Sequence, residues 1–296
     1  MHGHRSTSTP AETLLVNRAG SLDDVIRAVG ARFEAAHPGV LVRGDHGGSV
    51  DMALRATDPP TTPDVVATAD YAIIPRLLIP RYSTWYAGFA GNAIVLAYTD
   101  RSRYAAELTE RNWVDLLLRP GVRAGHSDPG RDPGGYWAVL VMRLAEGYYR
   151  RPGLAARLEQ MSPVVNAAAK QNLLDLLKNG EIDYLLLYRS TARSQGLRIL
   201  ELPAEINLGD PARAAAYGTV SLEVPREPGA SDSVLIHGRP VIYGVTIPAA
   251  ARHPELAKAF VRDLIGQTGQ SILRGQGFTQ LDRVITAGQV PLGVTE

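Results

Sequence analysis

Two serines stand where the sequence predicts that a strand turns into a helix. Residues 14–16 are short and apolar, which predicts a buried strand, and the residues after Ser21 carry apolar side chains at helical spacing. Gly20 and Ser21 therefore lie on a strand-to-helix turn, where free backbone N–H groups and the hydroxyl point at one spot. The chemistry that this predicts is the capture of an anion. The alternative is that Ser21 only caps its own helix.

A second turn repeats this arrangement. Gly48 and Ser49 follow a short apolar segment at residues 40–42 and precede a predicted helix. Successive strand–helix turns of a parallel sheet open onto one edge, and ligands of open α/β sheets bind at that edge. We therefore expect both serines to face the same ligand.

A third candidate lies in residues 127–136, a loop rich in turn-forming residues. Asp132 followed by Pro133 is typical of a helix start, with the carboxylate as the N-cap and proline in the first helical position. Further along, residues 183–188 predict a strand, Ser190 is a candidate cap for the next helix, and residues 203–236 predict irregular structure. Residues 254–273 predict one long helix.

Composition narrows the class of protein. The 296 residues include 45% hydrophobic and 21% charged side chains, which suits one large or two medium globular domains. The net charge of +1 gives no reason to expect a nucleic-acid partner, and the lack of cysteine excludes disulfides, thiolate metal sites and cysteine nucleophiles. The usual motifs of nucleotide-binding loops, zinc proteases and serine hydrolases do not occur, so no enzyme is predicted.

The first residues are polar, and residues 1–12 are predicted to form a disordered tail. They contain no apolar core of a signal peptide. The sequence thus predicts either a cytoplasmic protein or an exported one whose signal is missing from this sequence.

Several longer stretches resemble one family closely. They are "ATADYAIIPRLLIPRYSTWY" (67–86), "NAIVLAYTDRSRY" (92–104), "SDPGRDPGGY" (127–136), "GEIDYLLLYRS" (180–190) and "GRPVIYGVTIP" (238–248). With the glycine–serine turns, they resemble the molybdate/tungstate-binding proteins of ABC transporters, of the archaeal type. The resemblance runs from about residue 13 to residue 280.

The resemblance implies a type II periplasmic-binding-protein fold, in which two α/β lobes close over one oxyanion. We expect residues 13–100 and 201–296 to form lobe one and residues 101–200 to form lobe two. The ligand-binding residues that the resemblance implies come from both lobes: Gly20, Ser21, Ser49, Asp132, Pro133, Gly134 and Tyr188. Among them, Asp132 is implied to contact the metal centre of the bound molybdate or tungstate directly.

One departure from the family pattern affects the ligand. The family carries a second metal-contacting carboxylate, a glutamate, before the helix at residues 173–178. This chain has Ala167, Ala168, Ala169 and Lys170 in that place. We therefore expect tetrahedral or five-coordinate binding of the metal, and weaker discrimination against sulfate.

Together these observations predict an extracytoplasmic, monomeric substrate-binding protein that captures molybdate or tungstate without catalysis. It would deliver the ion to an ABC transporter permease, would need no cofactor, and would meet the membrane only through the permease or a missing N-terminal anchor. The alternatives are a cytoplasmic oxyanion-sensing protein, which would need a separate DNA-binding partner, and a receptor for another oxyanion such as sulfate.

Overall fold

The computed structural model describes residues 12–161 and 172–295, in which strands and helices alternate. The strands are β1 (Glu12–Ala19), β2 (Val40–Arg43), β3 (His46–Gly47), β4 (Val65–Thr68), β5 (Trp85–Asn92), β6 (Ile94–Tyr98), β7 (Ala124–Gly125), β8 (Tyr184–Tyr188), β9 (Arg198–Leu200), β10 (Ser221–Pro225), β11 (Ser233–His237), β12 (Val241–Thr246) and β13 (Ile285–Gly288). The α-helices are α1 (Asp23–Ala36), α2 (Ser49–Leu54), α3 (Ile73–Leu77), α4 (Trp113–Leu117), α5 (Pro133–Tyr148), α6 (Leu154–Met161), α7 (Leu173–Lys178), α8 (Arg189–Ser194), α9 (Ala214–Tyr217), α10 (Pro254–Ile265) and α11 (Gln267–Gly275).

The larger sheet has seven strands and brings the two serine-bearing turns together. Its order is β13-β5-β12-β4-β1-β2, with β3 also paired to β1. Strands β2, β3 and β4 all run parallel to β1, whereas β12 runs antiparallel to β4. Because parallel strands end at the same edge, the turns after β1, β3 and β4 lie side by side.

The smaller sheet has four strands in the order β7-β8-β6-β9. Strand β8 ends at Tyr188, and helix α5 packs against this sheet. Nearly all of α5 is buried, including Tyr136 and Trp137 near its start. This burial fixes the helix whose N-terminus carries Asp132.

Most predicted elements of the larger sheet are confirmed, but two predictions of secondary structure in the second half of the chain are wrong. The predicted helix over 254–273 is broken at Gly266 into α10 and α11. A Cβ at Gly269 would lie 1.9 Å from the Leu264 carbonyl oxygen, so the chain doubles back more tightly than a continuous helix allows. The segment 203–236, predicted as irregular, contains the antiparallel hairpin strand β10 and most of its partner β11.

The type II two-lobe class of fold is confirmed, while the bounds of the lobes stay a proposal. We propose two changes to them. Strand β6 was assigned to lobe one, but it pairs with β8 and β9 in the smaller sheet. The chain then crosses between the lobes near Asn92 instead of near Thr99. The hairpin of β10 and β11 follows lobe two, since β10 packs on α5.

Candidate functional site

The turn after β1 places Ser21 at the mouth of a cavity. Gly20, Ser21 and Leu22 form a short 3₁₀ turn, and α1 then begins with Leu22 at its N-cap. The alternative that Ser21 caps this helix is therefore wrong. Instead, the Ser21 hydroxyl lies 2.9 Å from the hydroxyl of Tyr243, which is fully buried on β12. Strand β12 thereby holds the serine at the edge of the sheet.

Ser49 lies deeper than Ser21. It is the first residue of α2, has no exposed surface, and its Oγ accepts a hydrogen bond from the Ala69 N–H at 3.0 Å. Accepting this bond leaves the hydroxyl proton free to be donated to another group. Ala69 directly follows β4, so the hydroxyl is held by the neighbouring parallel strand.

Asp132 begins α5, as the sequence predicted. Its carboxylate accepts a hydrogen bond from the Gly134 N–H at 3.1 Å, and Pro133 occupies the first helical position. Gly134 lies close to the Ser127 hydroxyl and to the ring of Tyr188, since a Cβ added there would lie 3.2 Å and 3.3 Å from their nearest atoms. The start of α5 therefore meets the end of β8 inside lobe two.

Burial raises the pKa of Asp132. Hydrogen bonds from Ser127 and Gly134 oppose this rise, whereas the nearby carboxylates Asp128 and Asp51 add to it. A carboxylate in this setting is held in place but poorly solvated. A cation or an electron-poor metal centre at this point would relieve that cost.

Tyr188 carries a buried hydroxyl without a partner. The residue is 4% exposed, and no hydrogen-bond partner for its hydroxyl lies among the residues that the structure describes. Burial raises its pKa well above the usual value, so the hydroxyl is a proton donor at neutral pH. Buried hydroxyls are normally bonded, and this one lies on a cavity, which fits a site for a ligand acceptor.

The two lobes touch beside this cavity. The Val50 N–H donates to the Arg131 carbonyl at 3.3 Å, and a Cβ added at Gly48 would lie only 2.6 Å from the same oxygen. An exposed ion pair joins Arg131 to Asp51 at 3.1 Å. The start of α2 in lobe one thus lies against the segment leading to Asp132 in lobe two.

Among the residues that the structure describes, the basic side chains around the cavity are paired with acidic ones. Arg27 pairs with Asp24 at 2.7 Å, and Arg18 pairs with Asp23 at 2.5 Å. His46 lies 3.4 Å from Asp23. An anion in this cavity would therefore be held mainly by neutral N–H and O–H donors.

The cavity has a volume of about 460 Å³ and is lined from both lobes. Of the residues implied by the resemblance, five line it: Gly20, Ser21, Asp132, Gly134 and Tyr188. Ser49 and Pro133 do not, although their neighbours Gly48 and Asp132 do. Ser127 and Asn172 also line it, and neither was predicted from the sequence. Ser127 begins the same turn-rich loop as Asp132, which was the available signal. The predicted replacement of the family glutamate by Lys170 lies outside the described residues.

Comparison with known proteins shows the family to which this chain belongs. The family described as bacterial extracellular solute-binding protein matches residues 14–279. The chain belongs to this family. An uncharacterized solute-binding protein of Methanoculleus marisnigri is 39% identical over 302 residues, covering 94% of this chain and 84% of that relative. The molybdate/tungstate-binding protein WtpA of Pyrococcus abyssi is 32% identical over 316 residues, covering 98% and 90%.

Solved structures agree with the fold of this solute-binding protein. The periplasmic molybdate-binding protein of Azotobacter vinelandii superposes with a TM-score of 0.64, covering 91% of this chain and 100% of that one, at 13% identity. The family is extracytoplasmic, and within the described residues no helix is both long and apolar enough to cross a bilayer.

We expect Ser21→Ala and Ser49→Ala each to weaken oxyanion binding. Loss of one hydroxyl donor leaves a buried acceptor of the ligand unpaired, which costs about 1–3 kcal/mol. Calorimetric titration with tungstate measures the loss, and Ser233→Ala on the exposed hairpin is a matched control. Unchanged affinity in both serine variants would place the anion elsewhere.

Proposed function

We propose that this solute-binding protein captures one molybdate or tungstate ion between its lobes and delivers it to an ABC transporter. The observation that carries the proposal is the buried hydroxyl of Tyr188, which has no hydrogen-bond partner among the described residues and lies on a cavity that both lobes line. The similarity to WtpA across nearly the whole chain supports the choice of ligand.

The chemistry of the cavity suits a small dianion. Neutral donors at the starts of helices stabilise an anion without the desolvation that a free buried cation would cost. Ser21 and the N–H groups near Gly48 would bind from lobe one, while Gly134 and Tyr188 would bind from lobe two. Since the ligand would contact both lobes, it would favour the closed arrangement.

Asp132 gives the proposed site its preference for a metal oxyanion. A carboxylate repels a dianion unless it bonds to the central atom. Molybdenum and tungsten can accept a further oxygen ligand, whereas the sulfur of sulfate cannot. We therefore propose that Asp132 bonds to the metal as a fifth oxygen ligand, and that sulfate binds more weakly. X-ray absorption spectroscopy of the tungstate complex checks this geometry, and a six-oxygen shell would contradict it.

The remaining parts of the proposal follow from the family. The protein would act outside the cytoplasm as a monomer, would catalyse no reaction, and would meet a permease in its closed form. Neither a cofactor nor a nucleic acid takes part in this scheme.

Titration calorimetry with tungstate, molybdate and sulfate tests the function. We expect one site for tungstate and molybdate, with sulfate weaker. Tyr188→Phe should lower tungstate affinity about tenfold, as expected for a lost hydrogen bond worth ~1.4 kcal/mol. The unfolding temperature without ligand should not fall, because the hydroxyl has no described partner.

Tyr217→Phe is the matched control, since that hydroxyl donates to the Ala204 carbonyl away from the cavity. It should leave tungstate affinity unchanged. Absence of binding by all three oxyanions would refute the proposed function.

A further inference from the structure

A buried carboxylate, Asp70, lies two residues beyond the strand β4 that positions Ser49. Asp70 is 1% exposed. Its Oδ1 accepts a hydrogen bond from the Ala72 N–H at 3.0 Å. Its Oδ2 accepts from the guanidinium of Arg239 and from the hydroxyl of Tyr136, the latter at 2.6 Å. All but one of the hydrogen bonds that this carboxylate accepts come from residues that flank strands of the larger sheet.

The exception is Tyr136, which belongs to α5 of lobe two. It lies one helical turn after Asp132 and is 1% exposed. Burial and the adjacent Asp70 carboxylate raise the pKa of Tyr136 well above its usual value, so the phenol stays protonated and donates. Its bond to Asp70 therefore joins the helix that carries Asp132 to the turn that holds Ser49.

Arg239, which binds Asp70, also packs against aromatic rings of both lobes. Its guanidinium carbon lies 5.2 Å from the ring centre of Trp137 on α5 and 5.7 Å from that of Tyr71, next to Asp70. Arg239 lies between β11 and β12 and is ion-paired with the buried Asp70, so this pair would be retained on lobe one when the lobes separate. In the open form, Asp70 would then keep the Arg239 guanidinium as its partner and lose only the hydrogen bond from the Tyr136 hydroxyl.

We propose that Tyr136 is a positioning residue whose hydrogen bond to Asp70 stabilises the closed arrangement of the lobes and aligns Asp132 with Ser49. This inference rests on the proposed function, since it assigns the pair a role in oxyanion capture without contact to the ligand. The bond forms only when the lobes meet, whereas the Asp70–Arg239 pair survives opening. Closure therefore gains a charge-assisted hydrogen bond without leaving a bare buried charge in the open form.

Förster transfer between two dyes measures this contribution without any ligand. The chain has no cysteine, so Arg32→Cys on α1 and Arg157→Cys on α6 supply one exposed labelling position in each lobe. In Tyr136→Phe, which keeps the buried ring, we expect the ratio of closed to open molecules to fall about tenfold. The dissociation rate of tungstate should rise by a similar factor.

Two further variants separate positioning from general stability. Tyr149→Phe removes a hydroxyl that bonds Trp113 and Glu110 within lobe two, and it should leave the closed fraction unchanged. Arg131→Gln removes the exposed interlobe ion pair with Asp51 and should change the closed ratio less than about threefold, because exposed pairs contribute little. Asp70→Asn should also lower the ratio of closed to open molecules. It takes the place of Tyr136→Phe in this test if the tyrosine variant does not fold.

The outcomes distinguish the two proposals. Equal closed fractions in the wild type and Tyr136→Phe, including fractions too small to detect in both, would overturn the positioning role. A lower unfolding temperature with an unchanged closed fraction would assign Tyr136 to stability alone. Failure of the wild type to bind tungstate would refute the proposed function, but the dye measurement would still decide the role of Tyr136.

Discussion

Gly48→Ala is expected to fold normally and to lose most of its affinity for tungstate. The backbone at Gly48, with φ −59° and ψ 134°, is open to any residue. The added methyl would lie 2.6 Å from the Arg131 carbonyl of the opposite lobe. Closure would then have to stop short or displace that segment. Overpacking of this kind costs about 1–3 kcal/mol, which corresponds to a loss of roughly 5- to 150-fold.

Calorimetric titration and thermal unfolding of the ligand-free protein measure the two parts of this prediction. The matched control is Gly147→Ala on α5, where an added Cβ meets nothing within 4 Å. The control should bind tungstate as the wild type does. Wild-type affinity in Gly48→Ala would show that the lobes do not need to approach this closely.

Asp132→Asn should raise stability without ligand and abolish tight tungstate binding. Asparagine is also a good N-cap, so the start of α5 is preserved. The folded protein bears the cost of a poorly solvated carboxylate, which the substitution removes. The amide lacks the negative charge that would bond to tungsten, and we expect an affinity loss of at least about 100-fold, or ~2.7 kcal/mol.

The pH dependence of this stability difference has a definite sign. Because burial raises the pKa of Asp132 in the folded state, the folded protein holds this proton more tightly than the unfolded chain. The cost of the carboxylate is absent below its usual pKa of 3.8 and grows as pH rises through the raised value. Thermal unfolding of both proteins from pH 4 to pH 8 should therefore show the asparagine variant gaining on the wild type. A constant difference would contradict this.

Local sequence was sufficient where one turn decides the structure. Asp132 and Pro133 begin α5 as predicted, because a cap and its helix are adjacent in the chain. The same rule gave Ser21 as a cap of α1, and that alternative is wrong. A 3₁₀ turn delays α1, and the hydroxyl bonds Tyr243, which lies 222 residues away. Ser190 failed similarly, since Tyr188 occupies the N-cap of α8 and the Ser190 hydroxyl accepts from Asn92.

The rest of the candidate site depends on contacts between distant segments. Tyr188 was selected by resemblance, and no local pattern reveals that its hydroxyl is buried without a described partner. In the sequence, Tyr136 is an ordinary residue of the apolar face of α5. Only the structure shows that Asp70, 66 residues earlier, lies beside it. The sheet edge was predictable because alternating strands and helices favour parallel neighbours, whose carboxyl ends share one edge. The opposing lobe surface was not.

The pairing of the arginines around the cavity has a consequence for the rate of capture. Arg18 and Arg27 are paired with Asp23 and Asp24, so the described residues leave little positive field to attract a dianion from solution. Encounter should then proceed at an ordinary diffusive rate and change little with ionic strength. Differences in affinity among oxyanions would lie in how long each one stays bound. Capture would then be equally fast at high and at low salt concentration.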